Sequence, residues 1–303
     1  MRSRLSSPSI VSILTLDRLD LTKKAVNSVL ERSTGDVRLV FLDNGSRDGT
    51  LDYLAQLEKE HSSLVDILRS DENLGVAAGR NRIFRHVISK YGDQFGWVLN
   101  LDNDCVVHPG YDKALTTCFE ETDALAVCPR LIQPDGRIFH NAYDGFLINL
   151  QEMQLKLEYG DSVDLPYNDP RVSERKETDV ILGTSAKTSR FLEQIGFYDE
   201  GHRIGWEDFS IALRALGLSK EDFQRWKSEN RNGGKEWVPL RELMGQGEQY
   251  ARHCVMYEPE CVITHDHPVT EVDQRYEKIR WHSRTIAEST AHFERVWGVK
   301  PVM

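Results

Sequence analysis

The sequence predicts an α/β fold in which helices flank a mostly parallel sheet. Within the first 130 residues, short runs rich in β-branched residues alternate with stretches of helical periodicity, and this alternation is typical of a parallel sheet. After Pro129 the alternation stops, because Leu131 to Phe139 carries Pro134-Asp135-Gly136 at its centre. That pattern predicts a hairpin. We therefore expect a small antiparallel addition to the parallel sheet.

The first half supplies five predicted strands and four predicted helices. The second helix has a recognisable start, since Asp48-Gly49-Thr50 places capping residues before an apolar-periodic stretch. The strands are Ile10 to Thr15, Val37 to Leu42, Val65 to Leu68, Trp97 to Leu101 and Ala124 to Cys128. The helices are Leu19 to Glu31, Thr50 to His61, Val76 to Lys90 and Tyr111 to Glu120.

The second half is less regular. We predict a strand from Asp179 to Leu182 and helices from Lys187 to Ile195 and from Asp208 to Leu216. Residues 151–177 and 220–249 are polar and contain Pro or Gly, so we expect insertions or mobile loops that could cover a site.

A long helix from Val272 to Val296 is predicted at the end of the chain, with an apolar stripe that favours a role in the fold or a dimer over a membrane role. The stripe consists of Tyr276, Ile279, Ile286, Phe293 and Trp297. We expect one compact domain made of a first half at residues 1–130, a second half at residues 131–271 and a C-terminal helix at residues 272–303.

Composition excludes several classes of protein. The 303 residues include 48 acidic and 38 basic side chains, and the resulting net charge of −10 disfavours nucleic acid as a partner. The five cysteines form no C-x-x-C pair, which argues against a disulfide framework or a zinc ribbon and favours a reducing cytoplasm. No apolar run approaches the roughly 18 residues of a membrane span. We expect a cytoplasmic protein with no transmembrane segment, and peripheral membrane contact stays open.

Acidic residues end two of the predicted strands. Ligands of open α/β sheets bind beyond the carboxyl ends of the strands. The second strand runs into Asp43, and the fourth runs into Asp102-Asn103-Asp104. Residues two apart in a strand point to the same side, so Asp102 and Asp104 can direct both carboxylates at one point. Two hard oxygen ligands suit Mg²⁺ or Mn²⁺ shared with a diphosphate, although an isolated D-x-D also favours a turn.

Three further segments carry candidate residues. The small residues after Asn73 would let a ligand approach the backbone, and Arg80 could bond a base or phosphate or pair with Asp102. At the start of a later helix, Asp208 is a candidate to accept a hydroxyl proton while Glu207 orients the hydroxyl, although acidic residues there also oppose the helix dipole. His265 or His267 could be a third metal ligand or an ordinary polar residue.

In this order, the motifs resemble the family 2 glycosyltransferases and their relatives of the GT-A fold, which transfer a sugar from a nucleotide diphosphate sugar. The resemblance runs from about Ile10 to Pro129 and from Asp179 to His267. Its carriers are Leu42-Asp43-Asn44-Gly45-Ser46-Arg47-Asp48-Gly49-Thr50, Asn73-Leu74-Gly75 with Gly79-Arg80-Asn81, Leu101-Asp102-Asn103-Asp104, and Phe197-Tyr198-Asp199-Glu200 followed by Glu207-Asp208 and Arg214.

The resemblance implies a Rossmann-like GT-A domain with defined roles for its residues. Residues 1–130 would be the nucleotide-sugar-binding half, and residues 131–271 would be the acceptor and catalytic half. It implies Asp208 as the catalytic base with Glu207 beside it, and a metal site of Asp104, Asp102 and His265. The implied donor-site residues are Thr15, Asp43, Asn73, Arg80, Asp102, Gly183 and Trp206. Gly183-Thr184-Ser185 matches the loop that lines the donor sugar and acceptor pocket in such enzymes.

The implied activity is that of a hexosyltransferase using Mn²⁺ or Mg²⁺ and a nucleotide-sugar donor, with a UDP-sugar favoured. The acceptor would be a glycan, a lipid-linked molecule or a protein, and the transfer would invert the anomeric configuration. Trp206 and the insertion at 220–249 depart from the usual family pattern on the acceptor side, so the acceptor is the least transferable feature. A homodimer stays open.

Two alternatives compete with this interpretation. A sugar nucleotidyltransferase would need a Gly-rich basic loop after the first strand, where this chain has Leu16-Asp17-Arg18-Leu19-Asp20. A catalytically inactive GT-A-like sugar-nucleotide-binding protein would keep the same fold. P-loop, serine hydrolase and dinucleotide-binding motifs are all missing from the sequence.

Overall fold

The strands of the protein form two sheets. A computed structural model describes residues 7–139, 145–158, 164–245, 253–266 and 283–302. In chain order the strands are β1 (Ser9–Thr15), β2 (Val37–Asp43), β3 (Val65–Arg69), β4 (Val98–Asp102), β5 (Cys105–Val107), β6 (Ala126–Ile132), β7 (Phe146–Asn149), β8 (Gln154–Leu157), β9 (Lys176–Glu177), β10 (Ser185–Lys187), β11 (Val238–Pro239), β12 (Val255–His265) and β13 (Lys300–Pro301).

The central sheet has the order β3-β2-β1-β4-β10-β6-β12-β5, with β9 also paired to β12. β1 pairs in parallel with β2 and β4, and β2 pairs in parallel with β3. This register places Thr15 opposite Asp43 and Leu14 opposite Asp102. β10 inserts antiparallel between β4 and β6, while β12 lies parallel to β6. The polar ends of β1, β2 and β4 therefore meet at one edge of the sheet.

A second connection brings the end of β12 to that same edge. β5 follows β4 after a two-residue turn, yet it pairs antiparallel with β12, on the far side of the sheet. In this pairing His265 lies opposite Cys105, one residue after Asp104. The pairing of β5 with β12 therefore places His265 beside the turn Asp102 to Asp104, which we call the acidic turn. The smaller sheet has the order β11-β7-β8-β13.

Helices cover the central sheet. The helix Val76–Tyr91 (α3) packs against β1 and β2, Tyr111–Glu121 (α4) packs against β6 and β12, and Leu19–Arg32 (α1) packs against β5. The strands between them are apolar on both faces, as parallel strands covered on both sides are expected to be; Ile10, Val11 and Ile13 are completely buried. The helices are α1 (Leu19–Arg32), α2 (Thr50–Glu60), α3 (Val76–Tyr91), α4 (Tyr111–Glu121), α5 (Ser189–Gln194), α6 (Glu207–Ala215), α7 (Lys220–Ser228), α8 (Leu240–Met244) and α9 (Ser283–Trp297), with a 3₁₀ turn at Pro170–Val172.

The first four predicted strands and the first four predicted helices are confirmed to within one residue at each end. The hairpin after Pro129 is also confirmed, since the Gly136 N–H donates to the Gln133 carbonyl and the Phe139 N–H donates to Leu131. The fifth strand is longer than predicted and continues through Pro129. A bulge in β12 between Glu258 and Val262 lies beside this proline, and bulges tolerate a missing donor.

Three predictions in the second half need correction. The run Asp179 to Leu182 is buried but is not a strand. The prediction failed because apolar, β-branched residues indicate burial and do not by themselves show that a segment pairs with a neighbouring strand. Lys187 ends β10 instead of beginning a helix. The predicted insertions carry regular structure, with β8, β9 and the 3₁₀ turn in residues 151–177 and α7, β11 and α8 in residues 220–249.

The C-terminal helix is described only from Ser283, so Tyr276 and Ile279 of the predicted stripe lie outside the described residues. Phe293 and Trp297 are buried, which agrees with a packing role for their part of the stripe. Among the residues that the structure describes, no helix is both long enough and apolar enough to cross a bilayer.

Candidate active site

A cavity of about 410 Å³ opens at the edge where the strand ends meet. The β1, β4 and β12 ends contribute Thr15, Asp102 to Asp104, and His265, while the start of α6 contributes Glu207 and Asp208. Every predicted site residue except Asp43 lines this cavity. Asp43 is buried behind it, where one carboxylate oxygen accepts from the Ser46 N–H at 3.3 Å.

Asp104 is held between two cationic or potentially cationic groups. Its Oδ2 lies 2.9 Å from Nη1 of Arg18, and its Oδ1 lies 3.2 Å from Nε2 of His265. All three side chains are buried. Arg18 has a left-handed backbone (φ 63°) at the residue just before α1. The sequence reasoning missed Arg18, and its charge in the loop after the first strand was the available signal.

The residue between the two aspartates fixes the local backbone. The Asn103 side chain donates to the hydroxyls of Thr15 and Thr22, at 3.2 and 3.3 Å. These bonds tie the turn after β4 to the end of β1 and the start of α1. The carboxylates of Asp102 and Asp104 are consequently positioned by a buried amide that is not itself a candidate ligand.

Arg80 connects the acidic turn to the start of α6. Its guanidinium lies 3.0 Å from Asp102, 3.3 Å from Asp208 and 3.9 Å from Glu207, measured between the nearest nitrogen and oxygen atoms. Although burial opposes its positive charge, these carboxylates raise the pKa of Arg80, so it stays a cation. Arg80 therefore pairs with Asp102, as one of the two predicted alternatives had it, and also bridges to Asp208.

The two carboxylates at the start of α6 are hard to ionise. Burial raises the pKa of Glu207 to about 7, the neighbouring Asp208 adds to the rise, and Arg80 opposes it. Loss of hydration also raises the pKa of Asp208, against the opposing charges of Arg80 and Lys187. Glu207 Oε2 has no hydrogen-bond partner among the described residues. A carboxylate with a raised pKa is a stronger base near neutral pH.

Gly183 lets these groups approach one another. A Cβ at this position would lie 2.8 Å from Nη2 of Arg80 and 3.1 Å from Oδ2 of Asp208. The loop of Gly183 also brings in Thr184, whose hydroxyl lies 3.4 Å from Asp102. A side chain at position 183 would therefore displace the guanidinium of Arg80, because the chain passes directly against it.

Lys187 is a buried cation beneath the site that sequence reasoning also missed. Its ammonium donates to the Ser185 hydroxyl at 2.7 Å and lies 5.4 Å from the ring centre of Tyr198. Burial, together with Arg80 nearby, lowers the pKa of Lys187 to about 7. The alternation in Ser185–Lys187 spans only three residues, too short to mark a strand in sequence.

The remaining predicted donor-site residues lie at two corners of the cavity. Asn73 accepts from the Asn44 side chain at 2.9 Å, which joins the loops after β2 and β3. Trp206 precedes α6 with a left-handed backbone (φ 70°), and its indole N–H donates to Thr290 of α9 at 2.9 Å. This hydrogen bond joins the C-terminal helix to the residue just before Glu207 and Asp208, the first two residues of α6.

The acidic turn fits a divalent metal ion. Ligand atoms of Asp102, Asp104, Cys105 and His265 lie within 4.8 Å of one another. Burial raises the pKa of the Cys105 thiol well above its ordinary value, with Asp102 and Asp104 adding to the rise, so it offers no thiolate. Two carboxylates and an imidazole remain, a donor set that suits Mn²⁺ or Mg²⁺. His267 lies outside the described residues.

Comparison with known families identifies the family of the chain. The profile of glycosyl transferase family 2 matches residues 10–168, more than half of the chain. The chain belongs to this family. The matched glycosyltransferase segment includes the ends of β1, β2 and β4 and therefore the whole acidic turn. A comparison with curated protein sequences finds no match.

Solved structures place the glycosyltransferase in the GT-A fold. A structure of GalNAc-T7 with UDP, GalNAc and Mn²⁺ matches with a TM-score of 0.58 and 18% identity, covering 86% of this chain and 44% of that one. The mannosyltransferase PcManGT from Pyrobaculum calidifontis, with GDP-Man and Mn²⁺, gives a TM-score of 0.52 and 14% identity, covering 95% and 64%. S. aureus TarS 1-349 gives a TM-score of 0.52 and 12% identity, covering 95% and 72%. This chain thus spans less than half of the GalNAc-T7 structure.

Proposed function

We propose that this family 2 glycosyltransferase transfers a sugar from a nucleotide diphosphate sugar to an acceptor hydroxyl, with the help of a divalent metal ion and with inversion at the anomeric carbon. The observation that carries the proposal is the bridge formed by Arg80. Nη1 of Arg80 lies 3.3 Å from the candidate base Asp208, Nη2 lies 3.0 Å from Asp102 of the candidate metal turn, and all three residues line one cavity.

The acidic turn would hold the donor through its diphosphate. Asp104, Asp102 and His265 are the proposed metal ligands, and Thr15, Asp43 and Asn73 are proposed to surround the nucleotide. A bound Mn²⁺ or Mg²⁺ would neutralise the charge that develops on the leaving diphosphate, as a Lewis acid. Arg18 adds a fixed positive charge beside Asp104. GalNAc-T7 and PcManGT were crystallised with Mn²⁺ and with UDP or GDP-Man, which supports this class of donor; we favour a UDP-sugar.

Asp208 would supply the base. Its carboxylate is 29% exposed, toward the cavity, and its raised pKa suits proton acceptance near neutrality. As the acceptor oxygen bonds to the anomeric carbon, its proton passes to Asp208 and the bond from that carbon to the diphosphate oxygen breaks. Attack from the face opposite the leaving group inverts the configuration. Glu207 is proposed to orient the acceptor hydroxyl.

Asp104→Asn tests the metal role. The substitution keeps the shape of the side chain but removes the ligand charge, so we expect metal-dependent turnover of the donor to be lost while the fold is retained. In a thermal-shift panel of UDP-, GDP-, dTDP- and CMP-sugars with and without Mn²⁺, a ligand that binds only the folded protein raises its melting temperature. The wild type should show a Mn²⁺-dependent rise with one donor class, and Asp104→Asn should not.

Asp36→Asn is the matched control, because Asp36 is an exposed aspartate outside the cavity whose partner is Arg38. It should behave as the wild type. Full activity of a folded Asp104→Asn protein would remove the metal assignment. Donor binding without release of nucleotide diphosphate in the presence of acceptors would instead favour a binding protein that has lost turnover.

A further inference from the structure

A second cluster of ligand-type side chains lies outside the cavity. Asp199, His202 and His292 offer one carboxylate oxygen and two imidazole nitrogens that lie within 4.8 Å of one another. None of the three lines the cavity. Asp199 and His202 belong to the loop before α6, whereas His292 belongs to α9. The cluster therefore joins two elements that are far apart in sequence.

His202 is the first sign that the cluster is built for a ligand. Its side chain is completely buried. Neither ring nitrogen has a hydrogen-bond partner of ordinary geometry among the described residues, although the Ser289 backbone lies close enough to interact with the ring. Leaving a buried polar group unsatisfied costs about 1–3 kcal/mol. The ring centre lies 4.8 Å from that of His292.

The backbone around Asp199 makes room for the second imidazole. Asp199 Oδ1 accepts from the Gly201 N–H at 2.9 Å, which leaves Oδ2 facing Nε2 of His292 at 2.8 Å and Nε2 of His202 at 3.9 Å. A Cβ on Gly201 would lie 2.2 Å from Nε2 of His292. Any other residue at position 201 would thus displace the ring edge that faces Asp199.

We propose that Asp199, His202 and His292 form a binding site for Zn²⁺ or a similar transition-metal ion. Two imidazoles and one carboxylate are ligands that Zn²⁺ takes in three-residue sites with water in the fourth position. Mg²⁺ and Ca²⁺ prefer all-oxygen sites. The cluster therefore differs in metal preference from the carboxylate-rich turn at Asp102 and Asp104.

Two arginines near the cluster must be taken into account. Nη2 of Arg295 lies 2.7 Å from Nδ1 of His292, and metal binding at Nε2 would require a proton on Nδ1. Arg295 is exposed, so its guanidinium can turn into solvent when the metal binds. Arg214 is fixed to the carbonyls of Ile195 and Phe197. The positive charge of Arg214 acts on His202, so it opposes the binding of a metal ion in the cluster.

A metal ion here would fasten α9 to the loop that leads into the active site. The chain continues from His202 to Trp206, which already bonds Thr290 of α9, and Ile286 of the same helix lines the cavity. The ion would hold one wall of the cavity in place without touching the reacting groups. This structural role is separate from the proposed transfer reaction.

The test is a Co²⁺ titration of the 303-residue chain. Binding is monitored by the visible absorption of four-coordinate Co²⁺ and by its loss when Zn²⁺ displaces Co²⁺. His292→Gln removes one ligand, and the active-site residues are identical in both proteins. We expect the variant to bind one equivalent of Co²⁺ fewer than the wild type and to gain less in melting temperature from Zn²⁺. Equal stoichiometry and equal gain would overturn the proposal.

His86→Gln is the matched control. His86 also lies on a helix, and its Nε2 lies 3.0 Å from a carboxylate oxygen of Asp66. Neither residue belongs to a group of three or more candidate metal ligands among the described residues. It should bind Co²⁺ as the wild type does. If His292→Gln fails to fold by circular dichroism, Asp199→Asn replaces it, because an amide oxygen can still accept from Gly201. Co²⁺ affinity at the second site should then fall at least about tenfold, and unchanged affinity would refute the site.

Discussion

Gly183→Ala is expected to damage the active site through a single added methyl group. The new Cβ would lie 2.8 Å from Arg80 Nη2 and 3.1 Å from Asp208 Oδ2, against 3.4 Å for the start of ordinary contact. Arg80 must therefore retreat by about 0.6 Å and Asp208 by about 0.3 Å, by subtraction of those distances. Arg80 is buried and held by Asp102, so neither group can move without disturbing the other.

The size of the effect follows from these displacements. A misplacement of about 1 Å in an active site can cost about 10²-fold in rate, so we expect a loss of about tenfold or more in kcat for sugar transfer. Overpacking of a buried position costs about 1–3 kcal/mol of stability, which leaves the protein folded. Both quantities are measurable, by release of nucleotide diphosphate and by urea unfolding.

Gly35→Ala provides the control for this experiment. A Cβ at Gly35 would approach only Asp112 Oδ2, at 3.7 Å, and the residue is exposed. Its activity and stability should match those of the wild type. A folded Gly183→Ala protein with wild-type kcat would refute the claim that the distances among Gly183, Arg80 and Asp208 matter for catalysis.

Two further predictions concern buried charge. In the folded protein the pKa of Glu207 is raised from 4.5 to about 7. Between these two pH values the carboxyl ionises in the unfolded chain but not in the folded protein, so the free energy of unfolding falls as pH rises. The loss amounts to about 3 kcal/mol by pH 8, and Glu207→Gln should abolish it; parallel curves of unfolding free energy against pH for the two proteins would contradict this. In the absence of metal, Arg18→Gln should lower the free energy of unfolding by about 3 kcal/mol, because the substitution removes the buried cation that pairs with Asp104. Mn²⁺ should then stabilise the variant more than the wild type in urea unfolding, and an equal gain would be the contrary result.

The parallel half of the fold was predictable because local signals and tertiary structure agree there. Each of β1 to β4 is a mainly apolar run that ends in a polar residue, and α2 has capping residues just before it. The strand-end rule then placed Asp102 and Asp104 at the cavity without knowledge of strand order. His265 was accessible by the same rule, because it is the last residue of β12.

Arg18 and Lys187 could not be assigned because their positions depend on pairing between distant segments. Arg18 reaches Asp104 only because β1 and β4 are neighbours. Lys187 lies beneath Asp208 because β10 inserts antiparallel between β4 and β6, and a strand of three residues leaves no periodicity in sequence. The run Asp179 to Leu182 was mispredicted because its composition suits a strand, whereas its residues Val180 to Leu182 line the cavity without pairing in a sheet.

The central claim is that Asp208 acts on the acceptor while the acidic turn holds the donor. The most direct measurement compares the donor dissociation constant, in the presence of Mn²⁺, and kcat for transfer in the wild type and in Asp208→Asn. A general base contributes about 10²–10⁴-fold to rate and acts mainly in the transition state. We therefore predict that transfer falls by that factor while donor affinity is preserved. A collapse of donor affinity together with the rate would assign Asp208 to the donor or metal site and contradict the proposed division of roles.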